Sequence, residues 1–319
     1  MVLYRLAAFV VCLLAIAVGY FVLIDDFFAL FADQRVRFCS KRLQEAAQKS
    51  LNASGLVPPS RPPESIREKL TMNGQIPLEY YYVDDSNKGR GTHYKYSRQD
   101  IELYIGQARR QATTIYRLLD EAKWDVKVLV KKGKWIKSSH WLMMALHKYP
   151  INGSHVLIYG SMDPWYEAIA LAFDAASVTT IEYNNLTYDH PRIMTLSPEK
   201  LYSLPSDRLV YDAALSISSF DHDGLGRYGD PIDPDADLKA MANVRCALKN
   251  DGILFLTIPI GPDVAVWNLH RRYGSVRLSR LLDGWKTGDV VGWFEEKLTE
   301  AASWRQTYEP VFVLKNTFV

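Results

Sequence analysis

A histidine and several carboxylates occur in one glycine-rich stretch, FDHDGLGRYGDPIDPD, residues 220–235. Asp221 or His222 can serve as a catalytic base, and Arg227 supplies a cation for binding a substrate. The stretch follows a predicted parallel strand, and ligands of open α/β sheets bind beyond the carboxyl ends of such strands. We therefore predict a ligand site here. The alternative for His222 is a structural histidine bonded to a backbone carbonyl, and the Asp-Pro pairs are typical of turns, so we predict no metal.

A second stretch, HVLIYGSMDPWYEAIAL, residues 155–171, has the strand, glycine and helix of a nucleotide-binding turn. Gly160 and Ser161 are its candidate ligand-binding residues. The further glycines of such fingerprints are missing, so a glycine that relieves a tight turn is the alternative interpretation. Glu182 lies 22 residues beyond Gly160. Nucleotide-binding folds place a ribose-binding acid there, at the end of the second strand, and a surface glutamate is the alternative.

A third stretch, NLHRRYG, residues 268–274, follows the predicted fifth strand. Its His270 and Arg271 are candidates for contact with an anionic or polyhydroxylated substrate. The alternative is the solvated, basic start of a helix.

The elements that must position these residues alternate between strand and helix from Ile151 onwards. The predicted strands are 155–161, 177–184, 207–219 and 252–261, with two late strands in 284–293 and 308–316. Residues 192–205 are predicted to hold a short third strand followed by a turn or helix. Helices are predicted for 163–176, with Asp163 as N-cap and Pro164 at the first position, and for 235–252, closed by Gly252. This alternation predicts an α/β fold with a mostly parallel, doubly wound sheet over residues 151–319. Antiparallel pairing of the last two strands is expected from their order.

The region before Ile151 divides into two predicted parts. Residues 25–63 comprise a helical stem, from Asp33 to about Ser54, and a proline-rich linker, GLVPPSRPPES. Residues 64–150 hold helical patterns. In the clearest of these, Ser97 is the predicted N-cap, and Ile101, Tyr104 and Ile105 begin an apolar face.

The N-terminus carries an uncharged run from Leu6 to Ile24. At about 1.5 Å per residue a helix of this length spans roughly 28 Å, close to the ~30 Å hydrocarbon core. Arg5 before it and two aspartates after it predict a single-pass type II anchor in the lipid bilayer. Residues 1–5 then form a cytosolic tail, and the rest lies in the ER or Golgi lumen. The alternative is a signal peptide cleaved near Ala15-Ile16-Ala17, which gives a secreted protein.

Composition limits the partners and the covalent modifications that the protein can have. A net charge of +2 gives no sign of a nucleic-acid partner. Sequons begin at Asn52, Asn152 and Asn185, as in a glycoprotein, although Asn185 adjoins the predicted ligand site. Cys12 belongs to the apolar run, so Cys39 and Cys246 allow one disulfide at most, with free buried thiols as the alternative. The oligomeric state is not predicted.

Three motifs, GSMDPWYEAIAL, DHDGLGRYGDPIDPDADLKAM and WNLHRRYGSVRLSRLL, resemble the family known as domain of unknown function 268. The similarity extends from Val156 to about Gly292, less than half of the chain. That family, found in nematodes and bacteria, is assigned to the S-adenosylmethionine-dependent methyltransferase-like superfamily. The resemblance implies the Rossmann-like class I methyltransferase fold and S-adenosylmethionine as cofactor. It also implies that Gly160 and Glu182 hold the positions of the cofactor glycine and the ribose-binding acid. Asp221 and His222 would correspond to the Glu-His pair that many such enzymes carry after the fourth strand.

Three functional hypotheses follow. The first is a luminal, membrane-anchored methyltransferase that acts on a hydroxyl group of a glycan or another small acceptor. The second is a methyltransferase-fold scaffold or binding protein without turnover. The third, a type II glycosyltransferase, fits the order of anchor, stem and domain but requires a metal-binding Asp pair, which Asp221-His-Asp223 and Asp233-Pro-Asp235 match only formally.

Overall fold

A seven-stranded sheet lies at the centre of the protein. The computed structural model describes residues 35, 37–51, 57–123, 137–205, 209–300, 303–305 and 307–317. The strands of these residues are β1 Leu78–Tyr80, β2 His93–Tyr96, β3 His155–Tyr159, β4 Ser177–Ile181, β5 Asn185–Tyr188, β6 Ile193–Leu196, β7 Tyr211–Ile217, β8 Leu248–Thr257, β9 Val264–Trp267, β10 His270–Arg272, β11 Lys286–Val291 and β12 Val311–Lys315. The central sheet has the order β11-β12-β8-β7-β3-β4-β6.

The sheet is mostly parallel, as predicted. Strands β3, β4, β6, β7 and β8 run parallel, whereas β12 runs antiparallel to both β8 and β11. Strands covered on both faces read as near-continuous apolar runs, such as HVLIY in β3 and ILFLT in β8. The chain leaves β3 toward β4 on one side and later places β7 on the other. This reversal between β3 and β7 opens a crevice at the carboxyl ends of the strands.

Helices cover both faces of the sheet. They are α1 37–51, α2 Glu64–Leu70, α3 Arg98–Glu121, α4 Ser138–Lys148, α5 Trp165–Ala172, α6 Pro198–Tyr202, α7 Ala236–Ala247 and α8 Arg277–Leu281, with a 3₁₀ turn at Glu295–Leu298. Side chains of α3, α4 and α5 share one core with the sheet, and those of α1, α6, α7 and α8 share the other. The doubly wound α/β prediction is therefore confirmed.

Helix α3 shows how sequence pattern sets this packing. Its Ser97 cap accepts from the Asp100 backbone in a capping box, as the sequence predicted for the cap. Six residues at helical spacing are buried along one face: Ile101, Ile105, Ala108, Ala112, Ile115 and Leu119.

The region 64–150, predicted to be helical, also contains strands. Strand β1 pairs in parallel with β9, and β2 pairs in parallel with β5. Both are too short to show a period in the sequence, and each is stabilised by a partner far away in the chain. The region is therefore built into the α/β fold instead of standing apart as a helical unit.

The predicted stem also packs on the α/β domain. Cys39 in α1 forms a disulfide with Cys246 in α7, with a Cα–Cα distance of 5.4 Å. Cys39, Leu43 and Ala47 are buried, and Arg42 Nε donates to Asn243 Oδ1 at 2.9 Å. Of the two alternatives for these cysteines, the structure has the disulfide.

Several local predictions are corrected. Helix α5 begins at Trp165 with Pro164 as its N-cap, while Asp163 Oδ1 accepts from the Trp165 backbone N–H at 3.1 Å. Helix α7 passes directly into β8, and Gly252 lies inside that strand because the chain there pairs with β7. The stretch NLHRRYG forms β10, the buried second strand of a hairpin with β9, and not the start of a helix.

The predicted membrane segment 6–24 lies outside the described residues. Within the described part of the chain, no helix combines the length and apolarity needed to cross a bilayer.

Candidate functional site

The glycine-rich loop after β7 is folded around Asp230. One carboxylate oxygen of Asp230 accepts from the backbone N–H groups of Gly224 at 2.7 Å and Gly226 at 3.0 Å, and the other accepts from Tyr228 at 3.2 Å. Gly224 has a φ of +78°, and a Cβ there would lie 2.0 Å from the Asp233 carbonyl oxygen. The spacing GLGRYGD therefore encodes a loop that wraps one buried carboxylate.

Arg271 of the third stretch and Arg277 of α8 both hold the end of this loop, because each donates to the Pro234 carbonyl. Arg271 donates to the carbonyls of Asp223 at 2.6 Å and Pro234 at 3.3 Å and is 1% exposed. Arg277 pairs with Asp237 at 2.6 Å. Arg271, predicted to contact a substrate, instead holds the backbone of the loop, because its guanidinium is surrounded by carbonyls.

Gly160 lies where the first turn touches the loop after β7. Its φ is +68°, and a Cβ there would lie 2.2 Å from Ser219 Oγ. The Gly160 N–H donates to the Ile181 carbonyl at 2.9 Å. Glycine is thus required by conformation and by this close approach.

Ser161, predicted to bind the cofactor, turns inward. Its hydroxyl lies 2.7 Å from the Asp163 carbonyl oxygen and 2.9 Å from Glu167 Oε2, and the residue is 3% exposed. Glu167 also accepts from Thr180 Oγ1 at 2.6 Å. Burial raises the pKa of the Glu167 carboxyl to about 7. This pair ties the turn to α5 and leaves the Ser161 side chain no contact with the crevice.

Glu182 is held at the end of β4. Its Oε1 accepts from the Asn184 backbone at 3.1 Å and from the Asn184 amide at 3.2 Å, and burial raises its pKa. Asn184 Oδ1 accepts in turn from the Thr92 backbone at 2.9 Å. The acid is thus fixed from the N-terminal region, a contact that the sequence could not indicate.

The crevice holds a cavity of about 130 Å³ that Gly160, Glu182, His222 and Asp223 help to line. Burial and the charge of Asp230 raise the pKa of Asp223 well above its ordinary value. Neighbouring cavities of about 240 Å³, toward α1, and about 350 Å³, toward the 86–91 loop, share the Tyr183 side chain with it. Tyr183 therefore lines all three cavities.

His222 is held as a neutral base. Its Nδ1 lies 2.5 Å from the Leu269 carbonyl oxygen, which can only accept, so Nδ1 carries the proton. Nε2 is then the accepting nitrogen, 3.5 Å from Asp221 Oδ2. Burial lowers the pKa of His222 to about 4, with a smaller contribution from Arg227. A backbone carbonyl thus orients His222, as in the structural interpretation, while its role as a catalytic base stays a prediction.

Asp221 lies beside Nε2 of His222 and is completely buried. Neither of its carboxylate oxygens has a hydrogen-bond partner among the described residues, and burial raises its pKa to about 7. Glu309, which sequence reasoning missed, accepts from Ser138 Oγ at 3.0 Å and Ser218 Oγ at 3.3 Å. Burial and the Asp221 charge raise the pKa of Glu309. No local motif marks Glu309, because it enters from the start of β12.

Arg227 and His270 lie next to Tyr228 and His222, two residues that line the crevice. Arg227 Nε pairs with Asp85 Oδ2 at 2.7 Å, and its guanidinium lies 4.8 Å from the Tyr228 ring centroid. His270 is 7% exposed, its Nε2 has no hydrogen-bond partner among the described residues, and burial lowers its pKa to about 4. The structure thus brings Gly160, Glu182, Asp221 and His222 together, with these two beside them.

Neither formal Asp-x-Asp pattern forms a metal site in the described part of the chain. The Asp233 carboxylate pairs with Lys239 at 2.7 Å and also with Lys49. No group of metal-ligating side chains gathers among the residues that the structure describes.

Solved structures similar to this chain have low sequence identity to it. The 1,6-didemethyltoxoflavin-N1-methyltransferase of Burkholderia thailandensis, solved with 1,6-didemethyltoxoflavin and S-adenosylhomocysteine, is 16% identical, with a TM-score of 0.38 over 55% of this chain and 76% of its own. A candidate SAM-dependent methyltransferase from Streptococcus mutans is 11% identical, with a TM-score of 0.38 over 57% and 49%. An S-adenosylmethionine-dependent methyltransferase from Mesorhizobium loti is 12% identical, with a TM-score of 0.35 over 55% and 97%. This chain spans about half the length of the Streptococcus protein.

Comparison of the sequence with models of protein families assigns the chain to a family. No curated protein matches the chain. A family model described as "Caenorhabditis protein of unknown function, DUF268" matches residues 153–317, just over half of the chain. All three motifs on which the resemblance was based lie within that match. The chain therefore belongs to the DUF268 family.

Proposed function

We propose that the protein is an S-adenosylmethionine-dependent methyltransferase. It transfers the methyl group to a hydroxyl of a glycan or of another hydroxyl compound. The observation that carries the proposal is the crevice between β3 and β7. It has a glycine turn and a ribose-type acid on one side and an oriented, neutral histidine on the other.

The residues of the crevice fit this cofactor. Glu182 has the position of an acid that accepts the two hydroxyls of a ribose, and Gly160 lines the same cavity. Asp223 lines the same cavity, and a ligand that carries a sulfonium and an ammonium group would favour the ionised form of its carboxyl. When bound, S-adenosylmethionine supplies an electrophilic methyl group.

His222 takes the proton of the acceptor hydroxyl in this proposal. The Leu269 carbonyl fixes the tautomer, so that Nε2 accepts. Asp221 Oδ2 lies 3.5 Å from the same Nε2, so a negative charge on this carboxyl stabilises the imidazolium that forms. General-base catalysis of this kind contributes about 10²- to 10⁴-fold to the rate.

Calorimetry with S-adenosylmethionine and a transfer assay with labelled cofactor test the proposal on the full-length protein. We expect Glu182→Gln to weaken cofactor binding by about tenfold or more, since a charge-assisted hydrogen bond is worth ~1.5–3 kcal/mol. His222→Gln should keep cofactor binding and lose about 10²-fold or more of the transfer. Glu68→Gln, on an exposed face of α2, is the control. Equal cofactor affinity in wild type and Glu182→Gln would contradict the assignment, as would absence of transfer to every acceptor tried.

A scaffold without turnover is the second candidate, and one observation favours it. The cavity next to Gly160 measures about 130 Å³, below the ~300 Å³ at which ligand pockets begin. A ligand that binds only the folded state raises its stability by mass action. A clear thermal shift with S-adenosylmethionine or S-adenosylhomocysteine would remove the scaffold candidate in its simplest form.

We further propose that the protein is a single-pass type II glycoprotein of the ER or Golgi lumen, held in the bilayer by residues 6–24. The Cys39–Cys246 disulfide supports this, because disulfides persist in oxidising compartments. The sequon residues Asn152 and Asn185 are exposed. Protease protection of microsomes and a mobility shift on deglycosylation test the proposal. Digestion of the 151–319 region in sealed microsomes would refute the luminal orientation.

A further inference from the structure

A row of rings connects the crevice to the protein surface. The ring centroid of His222 lies 6.3 Å from that of His270, which lies 6.4 Å from that of Trp304. Trp304 in turn lies 5.3 Å from Tyr81, which is 45% exposed. We call His270, Trp304 and Tyr81 the ring row. It begins beside the proposed base and ends in solvent, so a ligand that extends out of the crevice on this side meets these rings.

Polar groups accompany the ring row. The His270 side chain is buried, and its Nε2 has no hydrogen-bond partner among the described residues. Arg305 places its guanidinium 4.9 Å from the Trp304 ring centroid and 5.8 Å from that of Tyr81. A buried, unpaired nitrogen is destabilising by itself and gains a partner when a polar ligand binds.

We propose that the ring row is an acceptor subsite that binds a pyranose ring of a carbohydrate. The inference rests on the proposed transfer to a hydroxyl group, and it names the class of substrate. One face of a pyranose consists of C–H groups that pack on aromatic rings, while its rim carries hydroxyls that need hydrogen-bond partners. His270 and Arg305 supply such partners. A planar apolar acceptor would leave the buried His270 nitrogen unpaired.

Saturation-transfer NMR on the full-length protein without cofactor tests the subsite. The probes are methyl pyranosides of galactose, mannose, fucose and N-acetylglucosamine. We expect transfer to the ring C–H protons of at least one glycoside. Trp304→Ala and Tyr81→Ala should each weaken that binding by about tenfold, the equivalent of ~1.4 kcal/mol. Tyr80→Ala is the matched control, because Tyr80 is the neighbouring residue and is 50% exposed.

Three results would overturn the subsite: no transfer to any glycoside, binding that persists in both variants, or transfer to N-acetyltyrosinamide in place of the sugars. Should Trp304→Ala fail to fold, two variants of Tyr81 test the subsite in its place. Tyr81→Phe keeps the ring and should keep sugar binding, whereas Tyr81→Ser removes the ring and should weaken it. Calorimetry with S-adenosylmethionine separates the two proposals. Sugar binding without cofactor binding refutes the methyltransferase alone, and cofactor binding without sugar binding refutes the subsite alone.

Discussion

At the scale of single residues, the crevice depends on close contacts that leave little room for substitution. Gly160 shows this best, because it combines a φ of +68° with a Cβ position 2.2 Å from Ser219 Oγ. We expect Gly160→Ala to lower the free energy of unfolding by about 1–3 kcal/mol. Ser219→Gly should restore part of that loss by removing the clash, while the backbone strain remains. Urea unfolding of both single variants and the double variant measures the coupling, and strictly additive losses would contradict the contact.

Asp221 is a residue whose charge state has a calculable effect on stability. Its pKa is about 7 in the folded protein, against an ordinary value of 3.8. At pH values between 3.8 and 7, the folded protein therefore keeps a proton on Asp221 that the unfolded chain releases. The stability that this proton gives the folded protein is lost as the pH rises through 7. Asp221→Asn cannot ionise. The thermal midpoint of this variant minus that of wild type should therefore be larger at about pH 8 than at about pH 5.

His222 lies 3.5 Å from Asp221 and also titrates in this range, because its pKa is about 4 against an ordinary value of 6.5. The comparison is therefore repeated with His222→Gln introduced into both proteins, which removes the contribution of His222. Asp120→Asn, at an exposed position of α3, is the control. A difference between Asp221→Asn and wild type that does not change with pH would contradict the assigned pKa.

At the scale of elements, α1 is fastened to α7 by the Cys39–Cys246 disulfide, which closes a sequence separation of 207 residues. Removing it by Cys246→Ser should lower the free energy of unfolding by about 2–4 kcal/mol, because the unfolded chain regains the entropy of a long loop. Urea unfolding with and without reductant measures this. Cys12→Ser, in the apolar run, is the matched control. Identical curves for wild type and Cys246→Ser would show that the bond does not form in solution.

At the scale of the whole molecule, the α/β domain is incomplete without the residues before Ile151. Strand β1 completes the sheet of β9 and β10, and α3 and α4 cover one face of the central sheet. Asn268 binds both the N–H and the carbonyl of Val83 at 2.8 Å. We therefore expect a fragment of residues 151–319, the boundary that the sequence suggested, to lack a cooperative thermal transition, whereas residues 35–319 should show one. Cooperative unfolding of the shorter fragment near the midpoint of the longer one would contradict this.

The sequence by itself determined the order of the main strands, the α/β class and the family, because each rests on local pattern. Burial on both faces makes parallel strands apolar throughout, and the motif GLGRYGD encodes a loop around Asp230. The stretch also marked Asp221 and His222 as neighbours after β7. These features depend on residues close together in the chain.

Only the tertiary structure decided which marked residues face the crevice. Arg271 and Ser161 had suitable types and positions, but carbonyls of the loop surround the first and Glu167 binds the second. Glu309 was not predicted as a site residue, because the segment just before β12 brings it to the site from the far end of the chain. The direction of a side chain depends on what packs against it. Pairing over long separations, as between β1 and β9, leaves no local trace in the sequence.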